Sequence, residues 1–233
     1  MNKSEDEVAN LRLEVKSLEN QLNSLDNEKV ELEKLLSNFQ HRHSMELGQI
    51  ILEILELRKM KYKEDKVKFE EAESDYKSYS EQFDQEKARK VFELSKEESN
   101  ELKKKFRKAS FLCHPDKVSD EYKEAANKIF IALKTAYEAN DLNEVSRNLE
   151  DLEKGGYFKS LSEIGLESDI LKASILKLKT QIKNIEAEIK EITDSETYQT
   201  IISIKDWNVY FESQKSKLIQ ELEYLIDILA TKT

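Results

Sequence analysis

Residues 8–39, VANLRLEVKSLENQLNSLDNEKVELEKLLSNF, decide the fold class predicted for this chain. Their apolar side chains recur at spacings of three and four, the heptad pattern of a helix that packs along a narrow seam. Only Lys29 interrupts this seam, so its ammonium group is expected to reach outward or to admit water. The seam comprises Val8, Leu11, Val15, Leu18, Leu22, Leu25, Lys29, Leu32, Leu36 and Phe39.

Heptad patterning continues on both sides of a differently composed middle. The first seam falters at His43 and Gly48, yet the arm is interpreted as one helix from about residue 5 to residue 80. A second seam comprises Leu171, Ile175, Leu178, Ile182, Ile185, Ile189 and Ile192. The polar residues 193–196 then predict a turn or a new helix start, followed by a last helix over residues 197–230.

The composition predicts an all-α protein. The chain has 233 residues, of which 37% are charged, with only four glycines and one proline to interrupt helices. We expect a coiled coil over residues 1–83, a compact helical module over 84–153 that Gly155 and Gly156 end, and a coiled-coil helical hairpin over 154–233. The arms fit either an antiparallel bundle within one chain or parallel self-association into a homo-oligomer.

Charge and cysteine content limit the function classes. The net charge of −10 argues against nucleic-acid binding, whereas residues 86–117 are locally basic and suggest an acidic protein partner. Cys113 is the only cysteine, which fits a reducing compartment and excludes an internal disulfide. The polar N-terminus and short apolar runs predict a cytoplasmic protein without a membrane partner.

The middle module contains the one motif that points to a specific function. Residues 106–117, FRKASFLCHPDK, end a helix at Pro115, which has no N–H to continue it. Before the proline, Leu102, Phe106, Ala109 and Cys113 share one helical face, and lysines and Arg107 cover the other faces. A return helix over about residues 120–140 should place Phe130, Leu133, Ala136 and Tyr137 against the first helix.

Residues 88–142 resemble the J-domain family, in which a basic helix, a His-Pro-Asp loop and an antiparallel return helix form one small module. The resemblance implies a co-chaperone that stimulates ATP hydrolysis by a DnaK-type chaperone. It implies that the basic helix docks on an acidic surface of the partner's ATPase domain, while His114 and Asp116 favour the hydrolysis-competent state. The implied partner-binding residues are Lys103, Lys104, Arg107, Lys108, His114, Pro115, Asp116 and Lys117.

The sequence also departs from the family pattern. The first short helix is expected over residues 88–94, but that segment lacks the usual paired tyrosines and glycine. Ala109 stands where a leucine is usual, which predicts a looser core. The chain has no Gly/Phe-rich linker and no β-rich substrate domain, so we do not expect it to bind unfolded clients independently.

Other functions have weaker support. We expect no enzymatic activity, cofactor or metal, because the sequence has no phosphate-binding glycine loop, nucleophile elbow or ligand cluster. Cys113 is interpreted as a small buried hydrophobe, and His41 and His43 are too close in sequence to share a helical face. Trp207, Tyr210 and Phe211 predict a packing anchor. The alternative to a co-chaperone is a structural coiled-coil protein whose module is an adaptor or inactive.

Overall fold

The computed structural model describes residues 3–155, 158, 162 and 167–231, and these form eight α-helices. The all-α fold class predicted from the composition is confirmed. The helices are α1 Lys3–Lys61, α2 Lys66–Ala88, α3 Lys96–Cys113, α4 Lys123–Glu138, α5 Leu142–Gly155, α6 Ser168–Asp194, α7 Glu196–Ser203 and α8 Trp207–Ala230.

Two predicted long helices are interrupted by capping aspartates. The single helix expected over residues 5–80 is wrong, because Asp65 accepts a hydrogen bond from the Lys68 N–H at 3.3 Å and starts α2. The last helix is interrupted similarly, since Asp206 caps α8 through the Asn208 N–H at 2.7 Å. The helix start expected at residues 193–196 is confirmed, with Ser195 as the N-cap of α7.

The chain divides into two compact units. One unit contains Met1–Lys34 and Lys90–Asp194, and the other contains Leu35–Arg89 and Ser195–Thr233. Helix α1 therefore contributes its first half to one unit and its second half to the other. The boundaries at residues 83 and 153 stay predictions. Helix α5 ends at Gly155, and Gly156 lies outside the described residues.

In the first unit the two seams pack on each other within the same chain. Their shared core contains Val15, Leu22, Leu171, Ile175, Leu178 and Ile182. Glu7 pairs with Lys172 at 2.9 Å and Glu14 pairs with Lys179 at 2.8 Å, so residue numbers rise together along α1 and α6. The helices are therefore parallel, and the antiparallel bundle expected as one alternative is wrong for this pair. The intervening module allows the chain to return before α6 begins.

Of the two outcomes predicted for Lys29, the structure shows the side chain that reaches outward. Its ammonium group reaches out of the seam and pairs with Glu188 of α6 and, at 3.7 Å, with Glu33. Burial alone would lower the pKa of Lys29, but the hydrogen bond to Glu188 and the neighbouring carboxylates raise it above its ordinary value. The interrupted layer is thus stabilised by an ion pair at the edge of the seam.

Helices α3, α4 and α5 form a compact three-helix module in the first unit. The ring of Phe106 stacks on that of Tyr137 with centroids 4.1 Å apart, and His114 at the end of α3 contacts Phe130 of α4. Residue numbers therefore rise along α3 as they fall along α4, so the two helices are antiparallel. Asn140 adopts a left-handed conformation, φ 59°, and turns the chain from α4 into α5. The short helix expected over residues 88–94 is not formed, because α2 ends at Ala88 and non-helical backbone continues to Ser95.

The second unit pairs α1 with α2 in an antiparallel arrangement, since His41 contacts Glu86 and Lys59 lies over the ring of Tyr76. Gly48 of α1 faces Phe83 of α2 so closely that a Cβ at position 48 would lie 2.4 Å from the ring. The glycine that weakens the heptad pattern is therefore required by a helix contact. The predicted aromatic anchor is confirmed, because Phe39 contacts Trp207 and the fully buried Phe211 at centroid distances of 5.2 and 5.3 Å.

Gly48→Ala should destabilise the second unit, although alanine is about 1 kcal/mol more favourable than glycine within a helix. The new methyl group must displace the Phe83 ring, and such overpacking costs about 1–3 kcal/mol. Thermal melting of the full chain should therefore give a lower Tm. Phe83→Leu makes room, so the double variant should be more stable than additive single effects predict. An increase in Tm for Gly48→Ala alone would contradict this packing argument.

Candidate functional site

Helix α3 presents the His-Pro-Asp loop at its C-terminus. Ser95 and Glu98 form a capping box that starts the helix. Leu102, Phe106, Ala109 and Cys113 are at most 1% exposed, so one face of α3 is anchored in the core of the module. Burial raises the pKa of the Cys113 thiol to about 12. This cysteine is therefore a core residue and not a thiolate nucleophile.

His114 leaves the end of α3 and is buried, with only 2% of its surface exposed. The backbone N–H of Asp116 donates to its Nδ1 at 3.2 Å, so Nδ1 is the acceptor nitrogen of the ring. Nε2 in turn contacts the carboxylate of Asp26 on α1. The ring also meets Phe130 edge to face at 5.3 Å. The sequence pattern favoured a loop histidine that serves a partner, whereas here His114 is held by helix α1.

The two residues after His114 are only half-buried. Pro115 ends α3, as its sequence position predicts, and Asp116 lies 3.5 Å from the ammonium group of Lys123 at the start of α4. The Asp116 carboxylate therefore remains partly accessible while its backbone orients the His114 ring. Of the three motif residues, histidine is the one that the surrounding helices cover.

Lys117 is a buried cation, 3% exposed. Its Nζ lies 3.6 Å from the centroid of the Phe111 ring and has no hydrogen-bond partner among the described residues. Burial lowers the pKa of Lys117 to about 8, although Glu19 and Asp26 of α1 oppose the shift. A small cavity beside it is lined by Lys16, Glu19, Phe111, His114, Phe158 and Ser162.

The basic face of α3 is partly neutralised by α1. Glu31 pairs with Lys103 at 3.0 Å and lies 4.0 Å from Arg107. The same carboxylate accepts the Tyr137 hydroxyl at 2.7 Å, and burial together with Glu31 raises the pKa of that phenol. Of the predicted partner-binding residues, Lys103 and Arg107 thus pair with α1, whereas His114 and Lys117 are buried.

The remaining basic residues of α3 behave differently. Lys108 forms an ion pair with Glu153 of α5, within the module itself. Lys104 is exposed and makes no ion pair with the residues that the structure describes. Lys104 therefore keeps its charge available on the surface of the module.

The site residues that the sequence reasoning missed lie on α1. Glu19, Asn23, Asp26, Val30 and Glu33 follow spacings of four, three, four and three, which form a second stripe beside the apolar seam. Asn23 accepts the Ser110 hydroxyl at 3.3 Å, and Glu33 accepts Lys134 at 2.7 Å. This second heptad stripe, polar except for Val30, was the signal in the sequence that α1 packs on other helices besides α6.

Comparison with protein-family models, with curated proteins and with solved structures finds no match to this chain. Within the described ranges, no cluster of three or more His, Cys, Asp or Glu residues is arranged to hold a metal ion. Nor is any of those helices both long and apolar enough to cross a membrane. The interpretation of the site therefore depends on the geometry around residues 103–117.

Lys117→Met should stabilise the protein near pH 7, since it replaces a buried charge without a hydrogen-bond partner among the described residues by an apolar chain. The pKa of Lys117 is lower in the folded state, about 8, than its ordinary value of 10.5. The unfolded state therefore binds more protons between these values, and wild-type stability rises with pH there. Near pH 7 the free energy of unfolding of the variant should exceed that of the parent by about 1–3 kcal/mol, after allowance for the lost Phe111 contact. This difference should decrease as the pH rises from 8 to 10.5.

Denaturant unfolding at several pH values measures this difference. Lys104→Met is the matched control, because the exposed Lys104 has no burial cost to relieve. A variant at position 117 that is less stable than the parent at pH 7 would show that the ammonium group is well solvated or paired.

Proposed function

We propose that this protein is a co-chaperone that stimulates ATP hydrolysis by a DnaK-type chaperone. The observation that carries the proposal is the placement of His114-Pro115-Asp116 at the connection between the antiparallel helices α3 and α4. This is the arrangement that the resemblance to the J-domain family implies. The proposed setting is the cytoplasm, with neither nucleic acid nor membrane as partner.

The packing of the module supports the proposal. Leu102 and Phe106 on α3 pack against Leu133, Ala136 and Tyr137 on α4, in one buried cluster. Phe130 lies at its edge and contacts His114. These contacts hold the loop rigidly at one end of the hairpin. A rigid scaffold with a short polar loop suits recognition of a partner surface.

The proposed mechanism is a shift of the partner's conformational equilibrium. The exposed charges of α3, such as Lys104, attract an acidic surface and raise the rate of encounter. His114 and Asp116 then form polar contacts that stabilise the hydrolysis-competent state of the chaperone. The protein itself breaks no bond, so its residues act by binding and orientation.

A structural role is the second candidate function. The burial of His114 and Lys117 favours it, because a loop that is covered by α1 does not present its histidine to a partner. In that case the module is an adaptor that braces the parallel α1–α6 pair. The two candidates differ in whether the chain accelerates ATP hydrolysis by a DnaK-type chaperone.

His114→Gln should reduce the stimulated rate of ATP hydrolysis to the basal rate of the chaperone. Glutamine retains polar atoms but cannot reproduce the imidazole geometry at the loop. The measurement is single-turnover hydrolysis by a DnaK-type chaperone with increasing concentrations of this protein. Because His114 is buried and hydrogen-bonded, the variant should also lose about 1 kcal/mol of stability, so helicity and melting are measured in parallel.

His41→Gln is the matched control for this experiment. His41 lies in the other compact unit, where its Nδ1 contacts Glu86 at 2.9 Å. The control should stimulate hydrolysis as well as the parent does. Equal stimulation by a folded His114→Gln variant would refute the co-chaperone mechanism.

Lys104→Glu should slow association with the chaperone several-fold at low ionic strength, with a smaller effect on dissociation. Lys104 is exposed, so its reversal leaves the described ion pairs of the module intact. The effect should fade as salt increases, because exposed charges are screened beyond about 8–10 Å near physiological ionic strength. Stopped-flow association rates provide the measurement, and Lys217→Glu on α8 supplies the same change in net charge. Identical rates for both variants would exclude steering by α3.

A further inference from the structure

We propose that residues 19–34 of α1 form an autoinhibitory cover over the partner-binding surface of the module. The inference rests on the proposed function and concerns its regulation. In the covered state His114 and part of the basic face of α3 are occupied by α1, and the chaperone gains access only after this segment moves away.

The first argument is the position of the cover. Asp26 contacts His114 Nε2, and Glu31 contacts both Lys103 and the Tyr137 hydroxyl. Of these groups, His114 and Lys103 are ones that the partner would have to engage. Helix α1 supplies carboxylates to the same histidine and the same basic helix, so its binding and that of the partner are mutually exclusive.

The second argument is the polar character of this contact. Val30 is the one buried apolar side chain of α1 that joins the core cluster of the module, among the residues that the structure describes. Asn23, Asp26, Glu31, Glu33 and Lys34 supply polar contacts to the module. The Oδ1 of buried Asn27 lacks a hydrogen-bond partner in the described residues. An open groove between α1 and α3 is lined by Asn23, Asn27, Glu31, Lys103 and Arg107. An interface with this polar character is more typical of a reversible contact than of a hydrophobic core.

The third argument is that covering the loop is costly. Lys117 is buried without a hydrogen-bond partner among the described residues, near Glu19 and Asp26 of α1. Movement of α1 would return this ammonium group to water and relieve its desolvation. The covered state therefore carries an internal penalty, which lowers the free energy needed to open it.

The opposite face of α1 explains how the cover remains attached. Val15 and Leu22 are fully buried against Leu171 and Leu178 of α6. Burial of each such side chain contributes more to stability than a typical net hydrogen bond does. The α1–α6 pair is thus the firm contact and the module contact is the displaceable one.

The experiment compares a releasing variant with a charge-matched control in the full chain. Asp26→Asn with Glu31→Gln removes the carboxylates that contact His114 and Lys103, and it leaves the Glu33 contact to Lys134 in place. Glu7→Gln with Glu14→Gln removes two carboxylates from the same helix, but their partners are Lys172 and Lys179 of α6. Both variants must retain the helicity of the parent by circular dichroism.

Two readouts are measured on each protein. Acylation of His114 by diethyl pyrocarbonate reports exposure of the ring without any partner, with His41 and His43 as internal references. Single-turnover ATP hydrolysis by a DnaK-type chaperone reports function. The releasing variant should be acylated at His114 several-fold faster. It should also require about tenfold less protein for half-maximal stimulation, as expected if the open state is about one-tenth populated in the parent.

A reversible lock tests the opposite direction. Asn23 and Ser110 are in side-chain contact, so cysteines at these positions should be able to join α1 to α3. Cys113 is replaced by alanine in this protein, so that only the engineered pair oxidises. The oxidised protein should not stimulate hydrolysis, and reduction should restore stimulation.

The possible outcomes distinguish failure of the proposed regulation from failure of the proposed function. If the parent and the releasing variant stimulate equally, at equal concentrations, the cover is refuted and the co-chaperone function stands. If His114 is acylated equally in both, α1 is not the cover. If the releasing variant exposes His114 but neither protein stimulates hydrolysis at any concentration, the proposed function fails and its regulation fails with it.

Discussion

Helix α1 has to bury two different faces in the same compact unit, and the rest of that unit is arranged around this constraint. Its apolar seam packs on α6, and its polar stripe packs on the module. The two stripes follow the same heptad spacing but are offset around the helix, so one straight helix serves both. Because α1 and α6 are parallel, the module fits into the crossover that connects them.

The chemistry of the two faces differs in a way that matters for function. The seam excludes water and requires little directional precision, since apolar burial is not directional. The polar stripe depends on hydrogen bonds and ion pairs that water and salt compete with. The structure thus combines an apolar helix pair with a polar contact, and we propose that a charged partner replaces the polar one. In the proposed regulation, burial of His114 keeps the residue from the partner until the polar contact opens.

In the second unit, the glycine at a weak heptad position of α1 has a role in helix packing. Gly48 removes a side chain from the α1 seam, but Phe83 of α2 occupies the space that this glycine leaves. The aromatic cluster of Phe39, Trp207 and Phe211 then anchors α8 on α1. These aromatic residues therefore contribute to helix packing.

The sequence by itself determined the helical class, the two seams, the end of α3 at Pro115 and the buried face that begins at Leu102. Each of these depends on local periodicity or on the backbone chemistry of one residue. Helix α5 was missed as a separate element, although Asp141 supplies its cap through the Glu144 N–H. The breaks at Asp65 and Asp206 were missed because a capping aspartate looks like any other charged residue in a charge-rich chain.

Only the tertiary structure decided that α1 and α6 pair in parallel and that His114 and Lys117 of the candidate site are buried. The Asp26–His114 contact joins residues 88 positions apart, and no periodicity relates them. Burial of Lys117 likewise follows from where α1 lies, not from the loop sequence. Heptad patterns specify that a face must be covered, but apolar burial has no direction, so they do not specify by which helix or in which orientation.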